Sequence, residues 1–307
     1  MRVFSGNDYS LIYYKALLCC YEEGEKRGSR AGKTLDLGPV CFEVNGEGVG
    51  LPFIRGRGIN VFFALAEIAW VLEGNNKLAP LEYFIDNYGQ YSDDSETLYG
   101  AYGYRIFEKF GLNQLDKVIS ELKKKPDSRR AVISLFSALD LKNLDSLDIP
   151  CNISVLFKVR NECVDITVFN RSNDVFKGIP YNFFIFRFLQ YYVAKKLSRK
   201  IGWHRHITDS LHLYESNNKT VQSILECSHE PFSNNEPLEF NIFDELISNS
   251  QFISSMDWDR IESPSLRWLF QSYRSYKDKE DVASFCQREV GGKLSLFVDD
   301  WLRVHHS

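Results

Sequence analysis

The chain has 307 residues, enough to bury a large core, and its 44% hydrophobic and 14% aromatic content excludes a disordered protein. A net charge of −4 gives no general pull toward nucleic acid or membrane, so neither partner is expected and any bound anion needs a local arginine cluster. Seven scattered cysteines (Cys19, Cys20, Cys41, Cys151, Cys163, Cys227, Cys286) offer no CxxC pair and no zinc spacing, so no metal is expected and the thiols read as reduced, in the cytoplasm. The opening MRVFSGNDYS lacks the basic and apolar regions of a secretory signal, and no apolar run approaches the roughly 18 residues of a membrane span.

Residues 8–23 space apolar side chains three and four apart behind Asp8 or Ser10 as a cap, which predicts a helix. The GEKRGSRAGKT segment that follows is no P-loop, because that motif needs glycine five positions before Gly32 and Arg27 stands there. Residues 35–43 read as a strand. Residues 59–73 read as a helix apolar on most faces, hence buried, with Glu67 near its centre. Residues 85–104 form a loop rich in tyrosine and glycine, a composition suited to facing a substrate. Residues 113–125 are an amphipathic helix with lysines in the last turn and Pro126 beyond. AVISLFS, ISVLFKVR and CVDITVF are strand-like, the last two a hairpin around Asn161-Glu162. Residues 183–197 predict a second buried helix, and RHITDSLHLYES a strand running into a turn or helix. Beyond about 240 the chain is mixed and charged, with Phe243, Phe252 and Trp258 implying packed helices. Without repeats or a low-complexity linker, the simplest organisation is α+β: a catalytic domain over 1–240 with a C-terminal helical extension, 241–307, packed on it.

Four segments carry chemistry: DSRR (127–130), PCN (150–152), RSNDVFKGIPYN (171–182) and HLY (212–214). Taken locally, Cys151 is a half-buried packing residue, as most free cysteines are. To be a nucleophile it needs a positive neighbour favouring the thiolate, which Arg171 at the end of the hairpin could supply. Arg129 and Arg130 are either a solvated corner or a phosphate clamp, since guanidinium forks match phosphate oxygens. His212 and Tyr214, two apart on a strand, share a face and could bond one ligand.

In order, the chain shows a basic Arg27–Arg30 loop, a buried helix with Glu67, a Tyr-Gly loop, PDSRR, PC, RSxDxxxGxPxN and HLY. This constellation, spanning roughly residues 10–217, resembles the thymidylate synthase family. The resemblance implies a mixed β-sheet with flanking helices and homodimers whose sheets pack back to back, with shared active sites. It implies that Cys151 adds to C6 of a pyrimidine nucleoside monophosphate, so that C5 attacks the methylene of the co-substrate 5,10-methylenetetrahydrofolate. Arg171, Ser172 and Arg30 (or Arg27) would hold the phosphate, and Arg129 and Arg130 that of the neighbouring subunit. Asn182 would pair with the base edge, His212 and Tyr214 would hold the sugar, and Asp174 the pterin. Glu67 and Tyr102 (or Tyr99) would organise water and proton removal. A carboxyl on an apolar helix should have its acidity shifted by desolvation.

Three departures stand out against that pattern. Asn152 replaces a histidine, Tyr88 and Tyr91 occupy a tryptophan-containing segment, and the chain ends VDDWLRVHHS instead of a short apolar tail. These departures resemble the hydroxymethyltransferase branch, in which water captures the exocyclic methylene that the synthases reduce by hydride. Asn182 favours uracil over cytosine, yet a flipped carboxamide can present either pattern.

Overall fold

The computed structural model describes residues 1–227, 238–278 and 294–306, so Cys286 lies outside the described residues. Its larger sheet has six strands: β1 (Arg2–Gly6), β4 (Val40–Val44), β5 (Val132–Ser134), β6 (Asn152–Arg160), β7 (Cys163–Asn170) and β9 (Lys200–Thr208). Their order is β1-β4-β9-β7-β6-β5. It is a mixed sheet, parallel at β1/β4 and β7/β9 and antiparallel elsewhere. A smaller sheet orders β2 (Glu25–Ser29), β3 (Gly32–Asp36), β10 (Leu211–Tyr214) and β8 (Asn173–Asp174) as β2-β3-β10-β8.

The β6–β7 hairpin turns where expected, and both turn residues have positive φ (Asn161 49°, Glu162 61°), as a tight two-residue hairpin of right-handed strands requires. Two expected strands instead divide. The 35–43 segment breaks at Gly38, whose φ of 71° turns the chain between β3 and β4. The 205–216 segment divides at Asp209-Ser210 into β9 and β10, which belong to different sheets. Residues 85–104, expected as loop, include a 3₁₀ turn at Tyr88–Tyr91 and enter a short helix at Tyr102.

The described helices are α1 (Tyr9–Glu23), α2 (Val61–Leu72), α3 (Ala79–Glu82), α4 (Tyr102–Phe107), α5 (Gln114–Lys124), α6 (Ile179–Lys196), α7 (Asn218–Cys227), α8 (Asn241–Ser254), α9 (Pro264–Lys277) and α10 (Leu294–His306). The second buried helix, α6, begins four residues earlier than expected because Pro180 suits a first turn, where its missing N–H costs nothing. Helices α2 and α6 pack with the large sheet in one core, and α1 packs with the small sheet and Phe183 in another. The C-terminal helices join the first core. Trp258 is fully buried against Phe84 and Phe270, and Trp301 of α10 meets Phe62 and Tyr276 edge-on at 5.3 and 5.1 Å. Asp300 accepts from the Gly56 and Gly58 amides at 2.6 and 2.8 Å, fixing α10 to the loop ahead of α2.

Candidate active site

Cys151 lies between the 143–150 loop and β6. The 3₁₀ turn Ala138–Lys142 just ahead of that loop is anchored by a fully buried, two-pronged pair of Arg105 in α4 with Asp140, both contacts at 2.8 Å. The Arg171 amide donates to the Cys151 carbonyl at 2.9 Å, extending the β6–β7 ladder by one rung. The Arg171 guanidinium then folds over the loop, donating to the carbonyls of Pro150 (3.1 Å) and Ile149 (2.8 Å). Arg30, in the β2–β3 turn, donates to the carbonyls of Ser146 and Leu147 at 2.8 and 3.0 Å. Arg27 instead pairs with Glu25 at 2.7 Å on the exposed side of β2. Of the two competing arginines, Arg30 is therefore the one beside Cys151. Burial pushes the Cys151 thiol up. Arg171 and Arg30 oppose that shift, while the charge of Asp148 adds to it.

Beside Arg171, the Ser172 hydroxyl lies 3.4 Å from His212 Nδ1, and the His212 and Tyr214 rings meet edge-on at 5.2 Å. Parallel pairing of β8 with β10 sets His212 opposite Asp174. One carboxylate oxygen of Asp174 accepts from the Phe176 and Lys177 amides at 2.7 and 3.0 Å, and burial raises its pKa. Asn182, in the first turn of α6, donates through Nδ2 to Asn173 Oδ1 at 3.2 Å.

Glu67, on α2, shows the expected acid shift: burial pushes it up to about 8. Its Oε2 has no hydrogen-bond partner among the described residues. Tyr88, Tyr102 and Tyr181 all lie within reach of its charge, and burial raises the phenol pKa of each. Tyr102 also faces Cys151, Asp148 and Asn152. Tyr99, the competing tyrosine, lies instead beneath Arg105 and Lys109, 4.7 and 4.1 Å from its ring centre. Tyr91, its ring 5.5 Å from that of Tyr88, faces Asp174, Tyr214 and Cys151.

Two predicted residues are not in this group. Arg129 and Arg130 are exposed, and Arg129 lies near Lys158, seven residues along β6 from Cys151. At a strand rise of roughly 3.3 Å per residue, that is about 20 Å away. Neither arginine can serve the thiol of its own chain.

Sequence reasoning missed Asp148. Its Oδ2 accepts from the Gly100 amide at 2.7 Å, and burial pushes its carboxyl up to about 7 against that bond and the charge of Arg105. A Cβ on Gly100 would lie 2.6 Å from Asp148 Oδ1, so glycine is required there. It also missed the support beneath Asn182. Asn173, Asn170 and His206 are 4%, 3% and 0% exposed, with both amides against the imidazole, and Asn152 is fully buried. Among the described residues, no His/Cys/Asp/Glu group could hold a metal ion, and no helix is long and apolar enough to cross a membrane.

The α+β fold thus sets one cysteine beside two arginines, with Asp148, Tyr91 and Tyr102 within reach of it. A sequence profile described as thymidylate synthase matches residues 12–252. The chain is 34% identical over 226 residues to the deoxyuridylate hydroxymethyltransferase of Bacillus phage SP01, a match covering 70% of this chain and 59% of that protein. It is 32% identical over 239 residues to the deoxyuridylate hydroxymethyltransferase of Pseudomonas phage M6, covering 77% and 68%. It is 27% identical over 219 residues to the thymidylate synthase of Buchnera aphidicola subsp. Baizongia pistaciae, covering 69% and 81%. The Bacillus phage match thus spans less than two thirds of that relative. The chain belongs to the thymidylate synthase family.

Proposed function

We propose that this protein hydroxymethylates C5 of a pyrimidine nucleoside monophosphate, dUMP or UMP in preference to dCMP or CMP, using methylenetetrahydrofolate as one-carbon donor. The observation that carries the reading is the convergence on one thiol of two tethered arginines and of Tyr102, which also lies within reach of the high-pKa carboxyl of Glu67.

Arg171, Ser172 and Arg30 hold the phosphate, His212 and Tyr214 the sugar, and Asn182 the base edge. The Cys151 thiolate adds to C6, and the displaced π electrons make C5 a nucleophile toward the one-carbon unit. The folate, when bound, supplies that unit at the oxidation level of formaldehyde. One Asp174 oxygen is committed to backbone amides, which leaves the other for the pterin. Glu67 and Tyr102 take the C5 proton through water, a role suited to a carboxyl titrating near neutrality. Loss of that proton breaks the bond from the one-carbon unit to the folate nitrogen. Water adds to the exocyclic methylene left on C5, and the Cys151–C6 bond breaks to return the thiolate. Tyr88 and Tyr91 support this outcome over methylation, because phenol hydroxyls can position a water that an indole wall would exclude. Methylation to the 5-methyl product is the second reading, favoured by the match covering 81% of the Buchnera thymidylate synthase. A non-catalytic nucleotide-binding homologue is disfavoured by Cys151, since binding alone needs no nucleophile.

The active unit in this reading is a homodimer with shared sites. Arg129 and Arg130 serve the partner's phosphate in this reading, which their exposure and their distance of about 20 Å from their own Cys151 support. Residues 241–307 form the C-terminal extension of the catalytic body. The five described free cysteines suit a reducing cytoplasm. Tritium release from 5-tritiated dUMP, UMP, dCMP and CMP, with methylenetetrahydrofolate, tests the chemistry. Release should be fastest from a uracil nucleotide. No release from any of the four would overturn the reading.

A further inference from the structure

Beneath Asn182 a chain of buried amides ends on an imidazole. The Nδ2 atoms of Asn170 and Asn173 both approach His206 Nε2, the latter at 3.2 Å. His206 is fully buried, and burial pushes its pKa down to about 3, so the ring is neutral. A neutral imidazole has one acceptor nitrogen; the Asn173 N–H at 3.2 Å assigns it to Nε2, and His206 Nδ1 has no partner among the described residues. Asn173 is thereby oriented: its nitrogen faces His206 and its oxygen faces Asn182, which donates to it through Nδ2 at 3.2 Å.

The backbone keeps Asn173 in place. Its amide donates to the Ser210 carbonyl at 2.9 Å, and Leu211 of β10 pairs with it. A Cβ on residue 178 would lie 2.5 Å from Asn173 Oδ1, so Gly178 leaves that oxygen the room it needs. Flipping the Asn182 amide would set oxygen against oxygen where Asn182 and Asn173 are only 8% and 4% exposed.

We propose that His206, acting through Asn173, locks the Asn182 carboxamide in one orientation and so sets which pyrimidine the site accepts. The inference rests on Asn182 reading the base edge. A carboxamide in one orientation matches the N3–H and O4 of uracil, and flipped it matches the N3 and 4-amino group of cytosine. Both His206 and Asn173 are positioning residues, because they act only through Asn182.

The test is the ratio of C5 tritium release from dUMP to that from dCMP, measured on one preparation so that the folded fraction cancels. His206→Phe fills the aromatic surroundings of the imidazole but removes the acceptor. It should lower the ratio about 10-fold or more, the scale of one buried, mispaired polar group, and Asn173→Leu should do the same. Asn173→Asp should preserve the ratio, since its carboxylate still accepts from Asn182. Where a variant releases no tritium, the ratio of dUMP to dCMP dissociation constants is read by calorimetry. A ratio unmoved in His206→Phe and Asn173→Leu but shifted in Asn182→Asp overturns the lock and leaves the base reading standing. A ratio unmoved in Asn182→Asp as well overturns the base reading beneath it. Equal loss with both nucleotides would assign His206 to folding alone, also contradicting the lock.

Discussion

Arg30 and Arg171 are exposed and sit on turns, whereas Asn152, Asn173, Asn182 and His206 are no more than 8% exposed and sit on strands or a helix. The arginines are restrained by backbone carbonyls, which hold a guanidinium without neutralising it. Their charge stays hydrated until an anion arrives, so they cost the fold little. The amides and imidazole have no such freedom. Where such buried groups bond one another, as Asn173 does with His206 and Asn182, each partner's orientation fixes the next. In the proposed function the rim governs how tightly a nucleotide binds, and the layer below governs which nucleotide it is.

The largest effect should come from the thiol where the two regions meet. Cys151→Ser should lower C5 proton exchange about a thousand-fold or more, because a hydroxyl is a far weaker nucleophile at neutral pH. Nucleotide binding, followed by calorimetry, should survive. Normal turnover would remove Cys151 from the mechanism. At the rim, Arg171→Ala should raise the KM for nucleotide roughly 10- to 100-fold, the scale of one or two charge-assisted hydrogen bonds. The dUMP to dCMP ratio should stay put, and a shift there would blur the line between rim and layer.

A smaller effect tests the far arginines. Inactive Cys151→Ala and Arg130→Ala chains, mixed and allowed to exchange, should regain about a quarter of wild-type activity, since half the dimers are mixed and each keeps one intact site. No recovery, with exchange verified, would place Arg130 in its own chain's function.

The smallest effect is on stability. Glu67 titrates near 8 in the folded protein and near its ordinary 4.5 when unfolded. Between those values the folded state holds the extra proton. This contribution is fully present below about 4.5 and is lost as pH rises through about 8. Relative to Glu67→Gln, the wild-type melting temperature should therefore fall by ~5 °C from pH 5 to pH 8. Parallel pH profiles for the two proteins would show that Glu67 is not held protonated.

The legible parts of the sequence were those with local causes. Lysines and Pro126 mark the end of α5, and Asn161-Glu162 mark the hairpin, because capping and turn chemistry act over a few residues. Glu67 was legible as a shifted acid because ten of the twelve residues of its helix are buried hydrophobics. Cys151, Arg171 and His212 were legible because their residue types occur in a recognisable order. Asp148 was not, because its burial depends on Gly100, 48 positions away. Asn173 and His206 were not either, since their pairing closes over 33 positions and each looks ordinary within its own strand. Supporting contacts of this kind are made by topology, and periodicity carries no trace of them.

The most direct test of the account is the fate of the exocyclic methylene when enzyme, dUMP and methylenetetrahydrofolate are mixed. Hydroxymethylation predicts a product heavier than the 5-methyl nucleotide by one oxygen, with the folate returned as tetrahydrofolate. A 5-methyl product, accompanied by a stoichiometric rise in near-ultraviolet absorbance from dihydrofolate, would contradict it and make this chain a divergent methylating member of its family.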